Sequence, residues 1–448
     1  MPHEPATYRD LAERAWAWVQ TQVHRDGEDL WLAEQPAQTE PGEYPYGMHS
    51  GIGGLAHLLT EIRLTRPWTD AEQHLADGIV DTLTRRIGTA TEHDYFDGLT
   101  STIGVLTALD TGLDTGRDTG RGAGVAAAIA RLGELATPDG WPASFLEPPR
   151  AVPGGTCNDV TLGNAGVLIG ALWATRYDVP GAAELAHRAA DVVLAERVET
   201  ATGLDWAFVP ARFMLREGGR MPNWSHGLAG IAGSLAAAGT VLGRPDLVEA
   251  GRRGAEHLVA EADTSDGGMR LPHVVPDAEG FDHFTYTWCH GPAGTSLTFA
   301  ALQHAGVTDV GDRTAYDWER ACLHSLKVSG IPARRYPGFW DNDGRCCGTA
   351  GVGDVVLNIW QRHGIDDDLV FATTLADAIV DRAIRDGEHV YWRFVEHRNA
   401  DPLLPPGPGW MQGAAGISAY LFRIARVLEQ GPAAQSVARM DTWWALSS

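Results

Sequence analysis

The segment Trp224-Ser225-His226-Gly227-Leu228-Ala229-Gly230-Ile231-Ala232-Gly233-Ser234-Leu235-Ala236-Ala237-Ala238 decides the fold. Two glycines three residues apart open a run that is small or apolar on nearly every side. Such a run reads as a helix buried on most faces. The same Gly-x-x-Gly/Ser opening occurs at Gly51, Gly98, Gly163, Gly227, Gly291, Gly348 and Gly413, with successive spacings of 47, 65, 64, 64, 57 and 65 residues. Seven copies at a near-regular period mark a chain built from one repeated unit.

Between these openings lie amphipathic segments, such as Ala182 to Glu199 and Pro245 to Ala262, with charges on one side and aliphatics on the other. They read as outer helices. One unit is then an inner helix, a loop and an outer helix. Seven such hairpins can close on themselves, which predicts an all-α fold, an α/α toroid with inner and outer helix rings, over residues 1–448 as a single domain. Residues 1–40 form a leading helix and loop, with Tyr8 to Val23 as an outer helix. The first unit, with its spacing of 47, reads as abbreviated. The Asp/Thr/Gly-rich stretch 110–124 reads as a flexible loop inside the repeat pattern. Closure would bring all seven glycine motifs to one rim, where glycine lets backbones crowd and the first-turn amides are expected to stay open.

Composition narrows the function. The chain has 448 residues, 44% hydrophobic and 21% charged, as in soluble globular proteins. It shows no signal peptide and no run long enough to span a bilayer, so a cytoplasmic location is expected. A formal charge of −23 argues against a nucleic-acid partner and suits a basic or neutral peptide. Five cysteines, without an export signal, read as thiols or metal ligands.

Three of those cysteines fall at matched places. Cys289 lies in Trp288-Cys289-His290-Gly291, and Cys346 and Cys347 lie in Arg345-Cys346-Cys347-Gly348. Both segments end on the leading glycine of neighbouring repeats, so the toroid would set their thiols side by side. Three thiolate ligands point to zinc, and the empty fourth position to a catalytic centre. His290 is a competing ligand. Of the remaining cysteines, Cys322 reads as core, and Cys157 lies near the rim. His226 stands in the position equivalent to Cys347, one repeat before Cys289, and is a candidate general acid/base. Asp159, in the preceding repeat, can fix its tautomer. His49 and Asp97 also precede leading glycines and read as helix caps. Trp410-Met411-Gln412 is a further rim segment. Trp224, Trp288, Trp340 and Trp410 are expected to line a groove for an extended peptide. Two other classes compete: a non-enzymatic peptide scaffold with a structural zinc, and a glycosidase-like toroid using Asp97 and Asp159 as a carboxylate pair.

Ser225-His226-Gly227-Leu228-Ala229-Gly230, Trp288-Cys289-His290-Gly291-Pro292-Ala293-Gly294 and Arg345-Cys346-Cys347-Gly348-Thr349-Ala350-Gly351, on seven helical repeats, resemble the lanthionine synthetase C-like cyclases. The resemblance covers nearly the whole chain. It implies a zinc-dependent, stand-alone cyclase. The cyclase would add a peptide cysteine to dehydroalanine or dehydrobutyrine in a dehydrated precursor peptide, itself made by a separate dehydratase or kinase-lyase. Eukaryotic relatives imply an alternative, glutathione addition to dehydroamino acids. By the resemblance Cys289, Cys346 and Cys347 are the zinc ligands and His226 the active-site histidine. Asp159 is the aspartate of a D-V-x-x-G-x-x-G pattern. Two points differ from many members: the adjacent pair is Cys-Cys rather than Cys-His, and Thr285 stands where some cyclases carry an arginine.

Overall fold

A computed structural model describes residues 2–110, 121–216, 218–280, 282–333, 342–396 and 401–447. Among them are seven inner helices: α2 (Leu55–Thr65), α4 (Leu99–Leu109), α6 (Asn164–Thr175), α8 (Leu228–Leu242), α10 (Pro292–His304), α12 (Thr349–His363) and α14 (Ala414–Gln430). Outer helices are α1 (Pro5–Gln20), α3 (Asp70–Arg86), α5 (Arg121–Leu135), α7 (Ala182–Ala195), α9 (Pro245–Glu261), α11 (Ala315–Val328) and α13 (Asp366–Arg382). Each inner helix packs on the next around the circle, and α14 packs back on α2. Six hairpins are consecutive in sequence. The seventh is formed by the two ends of the chain, α14 with α1. The short antiparallel ribbons, such as Val23–Asp26 with Asp29–Leu32, stay two-stranded.

The burial pattern follows the sequence. α8 buries every residue from Leu228 to Gly239, whereas α9 buries one stripe (Leu247, Ala250, Gly251, Gly254, Ala255, Leu258). Trp206 and Trp392 each return an indole N–H to a carbonyl thirteen residues earlier, Val193 and Ile379, and so pin the chain to the end of its outer helix. The centre of the ring is filled by the chain's last residues. Met440, Trp443 and Trp444 are buried there, and the Trp444 indole donates to the Leu297 carbonyl at 3.1 Å.

Closure is visible in the backbone of the loops before the inner helices. Counting back from each leading glycine, residue −2 is His49, Phe96, Thr161, Ser225, Cys289, Cys346 or Met411. The amide of Thr161 donates to Ser225 O (3.2 Å), Ser225 to Cys289 O (2.9 Å), Cys289 to Cys346 O (3.3 Å), Cys346 to Met411 O (2.8 Å) and Met411 to His49 O (2.9 Å). Met48 then donates to Phe96 O (2.5 Å) and Tyr95 to Thr161 O (3.0 Å). One hydrogen bond per repeat thus runs around the whole rim.

The second glycine of the motif is required by a close approach. A Cβ would lie 2.2 Å from Val160 O at Gly166, 2.1 Å from Trp224 O at Gly230, 1.9 Å from Trp288 O at Gly294 and 1.8 Å from Arg345 O at Gly351. In every case the carbonyl belongs to the residue six positions earlier. That same loop corrects the expectation of open amides. Asn164, Ala165 and Gly166 donate to Cys157, Asn158 and Asp159 carbonyls, and Thr349, Ala350 and Gly351 donate to those of Asn342, Asp343 and Gly344. The loop caps the helix with its own backbone because buried donors must be paired.

Local boundaries also differ from expectation. Residues 121–124 begin α5 rather than continuing a loop, and 111–120 lie outside the described residues. The leading helix starts at Pro5 and ends at Gln20, with Val23 already in a strand. α7 stops at Ala195, and Val198–Thr200 pairs with Gly203–Asp205. No helix among the described residues is long and apolar enough to cross a membrane.

Candidate metal and acid–base site

The rim loops sort their side chains by position. Residue −3 is Met48, Tyr95, Val160, Trp224, Trp288, Arg345 or Trp410, and all seven are buried inside the ring. Residue −1 is Ser50, Asp97, Leu162, His226, His290, Cys347 or Gln412, and all seven reach solvent at least partly. The expected tryptophan groove is therefore corrected. Trp224, Trp288 and Trp410 occupy −3 and point into the core; Trp340 lies outside the described residues. Trp288 and Trp410 line a cavity of about 20 Å³ beneath the rim, with Met48, Tyr95 and Arg345.

The rim hydrogen bond from Cys289 to Cys346 brings the two cysteine segments together. Cys289 Sγ lies 3.4 Å from Cys347 Sγ, and Cys347 Sγ lies 3.5 Å from Cys346 Sγ. All three sulfurs fall within 4.8 Å of one another, and no other His/Cys/Asp/Glu cluster among the described residues matches a metal site. Tetrahedral zinc with Zn–S bonds of about 2.3 Å sets its sulfurs about 3.8 Å apart, so this donor set fits that ion. His290 does not join the cluster, so a tetrahedral ion held by the three sulfurs would have one position without a protein ligand among the described residues. Thr287 Oγ1 sits 3.2 Å from Cys289 Sγ, and Thr285 Oγ1 donates to His290 O at 2.9 Å. These hydroxyls fix the turn that presents Cys289 and His290.

Hydrogen bonding among the three sulfurs favours the thiolate on Cys289 over the other two. Burial opposes a thiolate on Cys289, but hydrogen bonds from the Cys346 and Cys347 thiols outweigh it and hold Cys289 below the ordinary thiol range. The same hydrogen bonds, with burial, push Cys346 up, and Cys347 rises chiefly through its bond to Cys289. Three thiolates in this volume need a cation to neutralise the second and third.

Arg345, directly before the cysteine pair, is an anchor that the spacing of cysteines did not reveal. Its guanidinium reaches Asp354 on α12 at 2.8 Å and lies over the Trp410 ring at 4.4 Å. Asp354 also holds Arg423 at 2.6 Å and Arg439 from the chain end. Burial raises the Asp354 carboxyl, and the three arginines more than reverse this, holding it well below the usual carboxylate range. The Cys346–Cys347 loop is thereby tied to the filled centre of the ring.

One repeat away, His226 Nδ1 lies 2.7 Å from Asp159 Oδ2. Asp159 is fully buried and also accepts the Leu162 amide at 3.2 Å, so its carboxylate is held from two sides. It does not cap α6, whose N-cap is Gly163. The pairing occupies His226 Nδ1 and leaves Nε2 outside it. Phe208 meets the His226 ring edge-on at 5.8 Å, and His290 stacks on it at 5.4 Å. Cys157 is fully buried, with Sγ bonded to Leu162 O at 3.2 Å, and burial pushes its thiol up. Cys322 is core in α11.

His49 and Asp97 are not caps, in contrast to expectation. The α4 N-cap is Gly98, with no side-chain bond, and Asp97 Oδ1 is buried without a partner. Loop carbonyls have already taken the helix amides. His49, Gln412, Glu34, Glu43 and Tyr44 line a cavity of about 480 Å³, and Glu43, Tyr44, Glu92 and Asp97 line one of about 300 Å³. Asp159 is committed to His226, so the Asp97–Asp159 carboxylate pair has no support.

A family model described as "Lanthionine synthetase C-like protein" matches residues 42–429. No curated protein sequence matches the chain. Among solved structures, nisin cyclase superposes with a TM-score of 0.58 at 13% identity, covering 91% of this chain and 92% of its own. An unsaturated glucuronyl hydrolase from Bacillus sp. GL1 gives 0.44 at 14% identity, covering 95% and 96%. A GH76 alpha-mannanase from Bacteroides thetaiotaomicron gives 0.46 at 12%, covering 96% and 98%. Nisin cyclase supports the toroid; the other two scores are too low to carry an argument. With the family match spanning most of its length, the chain belongs to the lanthionine synthetase C-like family.

Proposed function

We propose that this protein is a zinc-dependent cyclase that joins a peptide cysteine to a dehydroalanine or dehydrobutyrine of the same chain, forming a lanthionine or methyllanthionine thioether. The observation that carries this reading is the convergence of three cysteine sulfurs beside the His226–Asp159 pair. Cys289, Cys346 and Cys347 would hold the metal, which when bound supplies the acidity that makes the substrate thiol a thiolate at neutral pH.

The protein's own groups account for the proton. Addition breaks the S–H bond and the Cα=Cβ π bond, forms one S–Cβ bond and one Cα–H bond, and so moves one proton from sulfur to the α-carbon. His226 takes that proton at Nε2 and returns it to the α-carbon once the enolate has formed. Asp159 holds Nδ1–H, keeps the ring in one tautomer and stabilises the imidazolium between the two transfers. The precursor peptide lies along the rim. Glu34, Glu43 and Glu92 on its far arc favour a basic or neutral sequence. The dehydro residues come from a separate dehydratase.

The test uses a synthetic peptide with one dehydroalanine and one cysteine. Ring closure removes the alkylatable thiol at unchanged mass. The zinc-loaded protein is expected to close the ring and Cys289→Ala not to. Equal rates for the two proteins contradict the proposal. A dehydroalanine peptide without cysteine, given glutathione, tests intermolecular addition, which predicts a mass gain of one glutathione.

A further inference from the structure

The enolate formed in the reaction proposed above carries its charge on a carbonyl oxygen, and that oxygen needs a donor. Three sources are already spent. Thr285 has no charge, is fully buried and has its hydroxyl on His290 O. The first-turn amides Asn164, Ala165 and Gly166 of α6, Ala229 of α8 and Thr349, Ala350 and Gly351 of α12 are bonded to loop carbonyls. His226 Nδ1 is held by Asp159.

One side chain at the site is unspent. Among the described residues the His290 ring has no hydrogen-bond partner, and its Nδ1 is buried. It follows Cys289 directly, yet stays outside the sulfur cluster. Its ring is stacked on that of His226, with centroids 5.4 Å apart and planes 29° apart, and His273 packs against it at 4.4 Å. The position matters because an α-carbon and the oxygen of its carbonyl are about 2.4 Å apart by standard bond lengths. A proton donor for one atom and a hydrogen-bond donor for the other must therefore sit side by side, as these two imidazoles do.

We infer that His290 is a catalytic residue that donates an imidazole N–H to the carbonyl oxygen of the dehydro residue while His226 protonates its α-carbon. This rests on the cyclase reading, and it assigns to His290 the oxyanion role for which Thr285 is unsuited. Neutral imidazole suffices in the tautomer that carries its hydrogen on Nε2, because Nδ1 is enclosed by protein.

The test compares wild type, His290→Phe and His290→Asn, each loaded with Co²⁺ and given the dehydroalanine–cysteine peptide. Phenylalanine keeps the ring stack and removes the donor; asparagine restores a donor. The expected result for His290→Phe is an unchanged Co²⁺ ligand-field spectrum and an unchanged thiolate charge-transfer band on peptide addition. Ring closure should be slower by about 10²–10³-fold. His290→Asn should recover at least about tenfold of that loss. Closure by His290→Phe within about threefold of wild type overturns the inference and leaves the cyclase reading intact. A shifted Co²⁺ spectrum also overturns it, by making His290 a ligand. Failure of wild type itself to close the ring removes the cyclase reading and this inference together.

Discussion

The rim has two arcs built on one backbone plan and carrying opposite chemistry. The arc of repeats four to six presents His226, Cys289, His290, Cys346 and Cys347; the arc of repeats seven, one and two presents Met411, Gln412, His49, Ser50, Phe96 and Asp97. Both arcs take part in the same circle of hydrogen bonds, and both bury residue −3. Repeats five and seven, one from each arc, need the second glycine, with a Cβ 1.9 Å from a carbonyl at Gly294 and 2.0 Å at Gly416. The repeat therefore supplies equivalent slots, and the residues at −2 and −1 decide what each slot does. One arc gathers sulfur and imidazole. The other gathers carboxylates in a groove.

The comparison can be broken most forcefully on the cysteine arc. Cys289→Ala should abolish zinc retention and slow ring closure by about 10³-fold or more, read by metal analysis and thiol alkylation. Asp159→Asn keeps the shape of the dyad but releases the His226 tautomer, and closure should fall about 10²–10⁴-fold with zinc content unchanged. Equal treatment of the two arcs sharpens the claim of equivalent slots. Gly294→Ala and Gly416→Ala should destabilise the fold alike, by roughly 2–4 kcal/mol in chemical denaturation, because each Cβ displaces a loop carbonyl. A large difference between them would show that the arcs are not one scaffold.

The smallest effect belongs to the acidic arc and depends on pH. Burial pushes Asp97 up to about 8, aided by Asp94, Glu34 and Glu43. An unfolded aspartate titrates at about 3.9. Between these values the folded protein holds a proton that the unfolded chain has released, so stability falls as pH rises from about 4 to about 8. Asp97→Asn removes that slope. The variant should match wild type near pH 4 and exceed it near pH 8 by on the order of a few kcal/mol, as read from denaturation midpoints.

Much of this was legible before any coordinates. Glycine spacing gave seven units, and the matched placement of Cys289 and Cys346–Cys347 brought sulfur from two repeats to one point. His226 and Asp159 were legible as neighbours for the same reason. What hid was direction. The tryptophans at −3 looked like a peptide groove because aromatic content does not say which way a loop turns. The aligned set of Met48, Tyr95, Val160, Trp224, Trp288, Arg345 and Trp410 carries the signal, being apolar in six of seven copies. Arg345, the exception, is not legible as an anchor because its partner Asp354 lies a helix turn beyond the motif and the other arginines on that carboxylate, Arg423 and Arg439, come from far along the chain. Asp97 looked like a cap because the loop carbonyls that cap the helices leave no mark in residue type.

The central claim is that three sulfurs from adjacent repeats hold a metal with one position left for a substrate thiol. X-ray absorption at the zinc edge tests it directly. The account predicts three sulfur scatterers at about 2.3 Å and one lighter oxygen scatterer in the resting protein, becoming four sulfurs when the cysteine peptide is added. A histidine nitrogen as the fourth ligand, unchanged by the peptide, would contradict it.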